Sequence, residues 1–296
     1  MTWNGIILPA TTPFRDDELD LDALQRNLAR WNATDTSGYL VLGTSGELTQ
    51  LDDDEQATVM RVARELAPRE RALLAGIAEE STRNALRKLE VMASLGADGA
   101  VVLTPHYHKA AFAHEAAQVR FFRELAEHSP LPVMIYDFPA NTGIQLGVDA
   151  LLRIAEHERI VGIKDTSPNL ARASMLLAQS PGGFSMMTGL ASCLLPGMVM
   201  GMSGGILAIA LLAPALCTEL VHLARAGQYD AARPVAYRLA RLEQRIAMRW
   251  STAGVKAALG MLGFVGGACR RPMQRLDDAA HADIRAALND AGLEGT

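Results

Sequence analysis

The chain has 296 residues, with 28 basic and 33 acidic side chains and a net charge of -5 at pH 7. Apolar residues make up 49% and charged residues 21%, which is typical of a globular protein with a large core. The mild acidity predicts neither a nucleic-acid partner nor a membrane partner. Among the basic residues only four are lysines, at positions 88, 109, 164 and 256, so each can be considered individually.

The cysteines predict a reducing environment. Cys193, Cys217 and Cys269 include no C-x-x-C pair, so the pattern is neither a disulfide framework nor a zinc knuckle. The first residues, Met1 to Gly5, lack the basic and apolar segments of a secretory signal. We therefore predict a cytoplasmic protein.

A stretch of 46 residues between Arg172 and Glu219 contains no charged side chain. Glycine and proline interrupt it repeatedly, and its longest apolar piece, 206–213, has eight residues. A membrane-spanning helix needs about 20 consecutive apolar residues. The stretch therefore predicts buried strands and short helices rather than a membrane span.

Eight short apolar runs recur along the chain and predict eight strands. They cover residues 5–9, 38–42, 72–76, 99–103, 132–136, 160–164, 184–187 and 205–209. Their continuous hydrophobicity favours strands that are buried on both faces of a parallel sheet.

Amphipathic segments separate these runs and predict helices. They cover residues 20–31, 52–66, 81–95, 114–128 and 148–157. Ser81 is the expected N-cap of the third of them and Gly96 its expected C-cap. The repeated alternation predicts an α/β fold of the (β/α)₈ TIM-barrel type. A doubly wound open sheet is the alternative, less favoured because no G-x-G-x-x-G follows the first strand.

Beyond about residue 211 the pattern is purely helical. Predicted helices there cover residues 215–226, 229–249, 254–262 and 281–291. This is more than one barrel helix requires. We therefore predict a barrel over residues 1–225 and a C-terminal helical region over 226–296, packed as an appendage that offers an oligomer surface.

Active sites of such barrels lie at the C-terminal ends of the strands, and Lys164 ends an apolar strand there. Desolvation favours the neutral amine of a lysine, which can attack a carbonyl and form a Schiff base. A surface lysine, or an ion pair with Asp165, is the alternative. The other three lysines have simpler interpretations: Lys88 on a solvated helix, Lys109 in a loop, and Lys256 in the C-terminal helices.

Other strand ends add polar groups. Tyr136 ends the strand before Lys164, where a phenol can transfer protons, unless it only packs at the rim. The segment Thr44-Ser45-Gly46 offers hydroxyl and backbone N–H groups that suit a carboxylate, although a capped glycine turn has the same pattern.

Two further motifs suggest a metal site and a phosphate site, but neither motif is specific. His106 and His108 could bind zinc in a metal-dependent lyase or hydrolase, but no third ligand is evident. The glycines at 201, 204 and 205 could cradle a phosphate, although a close approach of backbones explains them as well.

These motifs, in this order, resemble the dihydrodipicolinate synthase / N-acetylneuraminate lyase superfamily of pyruvate-dependent class I aldolases. The resemblance spans essentially the whole chain. It rests on residues 5–14, 43–47, 104–107, 136–139, 162–166 and 266–272.

The resemblance implies a Schiff base between pyruvate and Lys164, with Tyr136 as the proton relay. Thr44 and Ser45 bind the 2-oxo acid carboxylate in that family. A tyrosine such as Tyr107 completes the relay from a neighbouring subunit. We predict that Gly46, Asn141, Thr166, Gly189 and Ile206 also bind substrate.

Asn141 stands where the resemblance places an arginine in dihydrodipicolinate synthases. The Pro139-Ala140-Asn141-Thr142-Gly143 segment is more similar to 4-hydroxy-2-oxoglutarate aldolases, although those of the human type carry Ser-Asn at the positions of Thr44 and Ser45. Our first prediction is therefore cleavage of 4-hydroxy-2-oxoglutarate to pyruvate and glyoxylate.

Several alternatives remain open. 4-Hydroxy-tetrahydrodipicolinate synthesis is the main one, and a 2-oxo-3-deoxy sugar acid aldolase or dehydratase is another. A non-catalytic sensor of 2-oxo acids is a separate class, but no DNA-reading element is evident. We predict no metal and no organic cofactor. The expected partners are pyruvate, an aldehyde, and copies of the chain in a homotetramer.

Overall fold

The computed structural model describes residues 3–273 and 275–293. Eight parallel strands close into a barrel. They are β1 Gly5–Pro9, β2 Gly38–Val41, β3 Ala72–Ile77, β4 Gly99–Leu103, β5 Val133–Asp137, β6 Ile160–Asp165, β7 Ser185–Thr188 and β8 Gly204–Ile206. Each strand pairs with its neighbours in sequence, and β8 closes the barrel on β1 through the register Gly5↔Gly204. The predicted barrel and its eight strands are confirmed.

Apolar side chains of each strand alternate between two buried layers. One fills the barrel interior and includes Ile7, Leu40, Met134, Met187 and Ile206. The other lies between the strands and the surrounding helices. Side chains on a strand point alternately to opposite faces, so a strand covered on both sides reads as one continuous apolar run.

Eleven helices of seven or more residues surround or follow the barrel within the described ranges. They are α1 Leu21–Asn32, α2 Asp53–Leu66, α3 Thr82–Ser94, α4 Glu115–His128, α5 Val148–Ala155, α6 Leu170–Gln179, α7 Leu194–Met200, α8 Pro214–Arg225, α9 Tyr229–Arg245, α10 Ala247–Met261 and α11 Asp278–Asp290. A short antiparallel hairpin, Phe14–Arg15 with Glu18–Leu19, follows β1.

Local sequence sets several helix boundaries. Asp52 and Glu55 form a reciprocal capping box at the start of α2. The Ser81 side chain accepts a hydrogen bond from Asn84 N at 3.2 Å, as its predicted N-cap role requires. Gly96 follows α3 with a φ of +88°, a conformation that glycine adopts without strain.

The C-terminal helices differ in detail from the expectation. One helix was predicted over 229–249, but α9 ends at Arg245 and α10 begins at Ala247. The predicted 254–262 helix is the second half of α10, which is kinked at Ser251, where φ is +51°. The last helix starts earlier than predicted, because the Asp277 side chain accepts a hydrogen bond from Ala280 N and caps it there.

The uncharged stretch 173–218 forms most of α6, then β7, α7, β8 and the start of α8. Its backbone polar groups are therefore paired in barrel strands and short helices. Among the described residues, no helix has both the length and the hydrophobicity to cross a membrane.

Candidate active site

Tyr136 and Lys164 lie side by side at the C-terminal ends of β5 and β6. The two strands pair in the register Tyr136↔Lys164, so both side chains point to the same face. Lys164 is 4% exposed, and its Nζ lies 3.9 Å from the centroid of the Tyr136 ring. The strand register thus places an amine and a phenol together in the barrel interior.

Thr44 extends this pair toward the barrel mouth. Its Oγ1 lies 3.2 Å from the Tyr136 Oη, within hydrogen-bonding distance. Both residues line a cavity of about 480 Å³. The cavity also receives Asn141 from the short helical turn Pro139–Thr142 that follows β5. A chain of hydroxyl groups therefore leads from the cavity to the side of Lys164.

Ser45 and Gly46 belong to the loop that carries Thr44 but do not line the cavity. Ser45 is buried, and the Gly46 carbonyl accepts a hydrogen bond from Thr12 Oγ1 at 2.8 Å. Gly46 N in turn donates to the Gly43 carbonyl at 3.0 Å. The loop is thus a tight turn held against the end of β1.

The remaining predicted binders lie at, or directly after, the ends of β6, β7 and β8. Thr166 Oγ1 is buried and makes no hydrogen bond with the described residues. A side chain at Gly189 would collide with it, because a Cβ there would lie 1.9 Å from that oxygen. Ile206 shares the interior apolar cluster with Tyr136. An unpartnered buried hydroxyl at a strand end is suited to receive a ligand.

Tyr107 lies away from this group. It is 79% exposed, on the loop after β4. The Glu80 carboxylate fixes that loop by accepting from the backbone N–H groups of His106 and Tyr107. His106 Nδ1 lies 3.2 Å from Glu80 Oε1, but within residues 3–273 and 275–293 no three His, Cys, Asp or Glu side chains are grouped to hold a metal.

One of the simpler lysine interpretations is wrong. Lys88 is 5% exposed, not solvated, and its Nζ donates to Asp53 Oδ1 and Gln56 Oε1, both at 2.6 Å. Both Lys88 and its neighbour Arg87 contact Asp53 on α2, but the Arg87 side chain stays exposed while Lys88 is buried between the two helices. A single helical position can differ from its neighbours in this way, since successive side chains are about 100° apart.

Lys256 lies on α10, one of the predicted C-terminal helices, and is buried in an ion pair. Its Nζ lies 2.5 Å from Glu47 Oε1 and donates to the Ala268 carbonyl at 2.9 Å. The other Glu47 oxygen, Oε2, accepts from Arg270 N at 2.9 Å. Glu47 follows the Thr44–Gly46 turn and lines the cavity, so this buried ion pair ties the turn to the C-terminal region.

A second buried ionic cluster lies behind the Tyr136–Lys164 pair. Asp137 and Asp165, the last residues of β5 and β6, both contact the guanidinium of Arg172, at 2.5 and 2.7 Å. Burial raises the pKa of Asp137 to about 6. The positive charge of Arg172 lowers this pKa only in part, because the nearby negative charge of Asp165 raises it. The alternative ion pair between Lys164 and Asp165 is absent, since the carboxylate points outward to Arg172.

Two residues at the cavity were not predicted from the sequence. Ser251 and Thr252, at the kink of α10, line it, and Thr252 Oγ1 donates to the Thr44 carbonyl at 3.4 Å. The kink places a non-glycine residue at positive φ, which is uncommon and is found at functional sites. No local pattern indicated this conformation, because the strain depends on packing against the barrel.

A closed parallel barrel with a buried lysine beside a tyrosine at its C-terminal face fits a class of enzyme. The class is that of the class I aldolases, which are carbon–carbon lyases that use a lysine amine as nucleophile.

The family profile described as "Dihydrodipicolinate synthetase family" matches residues 2–291. The chain is 32% identical over 292 residues to a 4-hydroxy-tetrahydrodipicolinate synthase of Acidiphilium cryptum, covering 98% of this chain and 99% of that one. It is 33% identical over 292 residues to the synthase of Ruegeria pomeroyi, with the same coverage. The chain belongs to the dihydrodipicolinate synthetase family.

The fold agrees with this assignment. The crystal structure of dihydrodipicolinate synthase from Aquifex aeolicus superposes with a TM-score of 0.94 at 28% identity, covering 99% of this chain and 100% of that one. The synthase of Methylacidiphilum fumariolicum SolV superposes with a TM-score of 0.93 at 26% identity, with coverages of 98% and 96%. These comparisons favour the synthase alternative over our first prediction, 4-hydroxy-2-oxoglutarate cleavage, which they do not support.

Proposed function

We propose that this chain condenses pyruvate with an amino-aldehyde through a Schiff base on Lys164, as a 4-hydroxy-tetrahydrodipicolinate synthase. One observation carries the chemistry: the Lys164 amine is buried 3.9 Å from the Tyr136 ring centroid, beside a hydroxyl chain that opens into a cavity. The names of the similar proteins support the choice of product.

In the proposed reaction, the Lys164 amine attacks the C2 carbonyl of pyruvate and forms a carbinolamine. Loss of water then gives a protonated imine. The imine draws electron density from C3, which loses a proton to give an enamine. C3 of the enamine attacks the aldehyde carbonyl and forms the carbon–carbon bond. Cyclisation through the amino group then releases the product and the lysine.

Proton transfer is assigned to Tyr136 together with Thr44. Their oxygens lie 3.2 Å apart, so a proton can pass between them. The pyruvate carboxylate is assigned to the hydroxyl and N–H groups of Thr44 and Ser45, while Gly46, whose N–H donates to the Gly43 carbonyl, holds the turn. Thr166, Gly189 and Ile206 shape the space beside Lys164, where the unpartnered Thr166 hydroxyl is available to the substrate.

Asn141 and Tyr107 are assigned to the second substrate and to assembly. Asn141 lines the cavity with a neutral amide, which can hydrogen-bond an aldehyde substrate but cannot pair with its carboxylate as an arginine would. Tyr107 is exposed in the single chain. We propose that it reaches the relay of a neighbouring subunit within a homotetramer.

Borohydride trapping tests the Schiff base. Incubation with pyruvate and borohydride should inactivate the protein and add one reduced pyruvate to Lys164, because reduction makes the imine permanent. The adduct is located by peptide mass spectrometry, and borohydride without pyruvate is the control. An unmodified Lys164 after complete treatment would contradict the Schiff-base mechanism.

A substrate panel tests the acceptor. We expect kcat/KM for pyruvate consumption to be about tenfold or more higher with aspartate semialdehyde than with glyoxylate or neutral hydroxyaldehydes. A small difference in the groups that a substrate offers to its site commonly changes kcat/KM by about that factor. Consumption is followed with each aldehyde at equal concentration. Preference for glyoxylate, or faster release of pyruvate from a 4-hydroxy-2-oxo acid, contradicts the synthase assignment.

The Tyr136→Phe variant tests the proton relay. It keeps the aromatic ring that contacts Lys164 but removes the hydroxyl, so kcat should fall by about 10²- to 10⁴-fold with the fold retained. Tyr39→Phe is a matched control, because the Tyr39 Oη is also buried but donates to Asn32 outside the cavity. A kcat for Tyr136→Phe within threefold or so of that of Tyr39→Phe would remove Tyr136 from the mechanism.

A further inference from the structure

The proposed reaction gives no role to three buried charged residues, Asp137, Arg172 and Asp165. The three residues are respectively 0%, 7% and 2% exposed. Charged groups are expensive to bury, and replacing such a cluster by apolar side chains is often neutral or stabilising. Stability alone is therefore a weak reason for this cluster, and its location relative to the reactive residues gives a better one.

The cluster joins the two strand ends that carry the reactive side chains. Asp137 follows Tyr136 and Asp165 follows Lys164, and the register also pairs Asp137 with Asp165. Because neighbouring strand residues point to opposite faces, the acids face outward when Tyr136 and Lys164 face inward. Any shift of one acid relative to the other therefore moves Tyr136 relative to Lys164.

Arg172 spans this pair from α6. One Nη atom lies 2.5 Å from Asp137 Oδ2, and the other lies 2.7 Å from Asp165 Oδ2. A planar guanidinium with two nitrogens fixes the separation of the two carboxylates, which a single ammonium cannot do. Arg172 thus acts as a bridge between β5 and β6.

The same guanidinium also holds the loop that carries Asn141. It donates to the Leu146 carbonyl at 2.6 Å, between the Pro139–Thr142 turn and α5. On the other side, Asp165 Oδ1 accepts from Ser167 N at 3.0 Å, which fixes the loop after β6. One side chain therefore connects both strand ends and the segment that follows the Pro139–Thr142 turn.

We propose that Arg172 is a positioning residue, which sets the distance between Tyr136 and Lys164 by bridging Asp137 and Asp165. This inference rests on the roles proposed above for Tyr136 and Lys164. Reacting groups must be held within a fraction of an ångström, and a misplacement of about 1 Å can cost about 10²-fold in rate. The bridge should therefore affect kcat more than substrate binding.

The Arg172→Lys variant tests the bridge, because it keeps the positive charge but can reach only one carboxylate well. We expect kcat to fall by about tenfold or more, with KM for pyruvate changed by less than about threefold. The rate of borohydride trapping by pyruvate should fall with kcat.

Arg64→Lys is the matched control. Arg64 is also a buried arginine, 8% exposed, and it pairs with Asp98 at 3.1 Å. Asp98 precedes β4, so this pair lies at the opposite end of the barrel. We expect Arg64→Lys to lower stability but to keep kcat within about twofold of the unmodified enzyme.

Unchanged kcat in a folded Arg172→Lys variant overturns the inference, and so does an equal loss in Arg64→Lys. If Arg172→Lys does not fold, Asp137→Asn loosens the same bridge with a neutral acceptor, and kcat should fall by about threefold or more; an unchanged value there also overturns it. Trapping of the unmodified enzyme separates the two proposals. Absence of an adduct on Lys164 rejects the proposed function itself, whereas a normal adduct with no effect of Arg172→Lys rejects only the bridge.

Discussion

In the Lys164→Met variant, kcat for pyruvate-dependent condensation falls by about 10³-fold or more, because no other group supplies the nucleophilic amine. Borohydride no longer adds pyruvate to that peptide. The fold should survive, since Lys164 Nζ lies against the Tyr136 ring and a methionine side chain packs readily against an aromatic. Initial rates of pyruvate consumption, with circular dichroism of the same sample, measure both effects.

Lys109→Met is the matched control for this experiment. Lys109 is exposed on the short turn Lys109–Phe112 and takes no part in the proposed chemistry. We expect its kcat to stay within about twofold of the unmodified enzyme, since surface changes usually have small effects. If Lys164→Met retained a tenth or so of the activity, the amine would not be the nucleophile.

The Lys256→Met variant should lose about 3–5 kcal/mol of unfolding free energy. It leaves the Glu47 carboxylate, whose side chain is 0% exposed, without its cation. A buried charge without a partner costs far more than the ion pair contributes when both partners are present. The loss is measured by urea denaturation at neutral pH, where the carboxylate is ionised in the unfolded chain.

Lys88→Met gives the comparison for that loss. Lys88 is also buried, but its partner Asp53 is 68% exposed and can be rehydrated when the lysine is removed. We expect a smaller cost there, about 1–2 kcal/mol, because the group left buried without a donor is the neutral Gln56 amide oxygen and not a charge. Equal losses in the two variants would mean that the burial of Glu47 is not the cause.

The barrel could be predicted almost completely, because each of its strands is recognisable from its own residues. A strand buried on both faces is a continuous apolar run, and Gly38–Val41 and Ile160–Asp165 are such runs regardless of what surrounds them. The same logic gave the pairing of Tyr136 with Lys164, because parallel neighbours end at the same edge.

The features that could not be predicted from the sequence depend on contacts between segments that are distant in the chain. Lys256 meets Glu47 across 209 positions, and Arg172 meets Asp137 across 35. Nothing near Lys256 in the chain distinguishes it from a solvated helical lysine. The kink at Ser251 has the same origin, since it brings α10 to the cavity mouth and no glycine marks the position.

The placement of the lysines has a practical consequence for chemical labelling. Lys88, Lys164 and Lys256 are 5%, 4% and 1% exposed, and arginines carry nearly all the other positive charge. Arginine does not react with the active esters used to label amines. Within the described residues, Lys109 is therefore the one exposed lysine side chain, and such reagents should modify it before the other three.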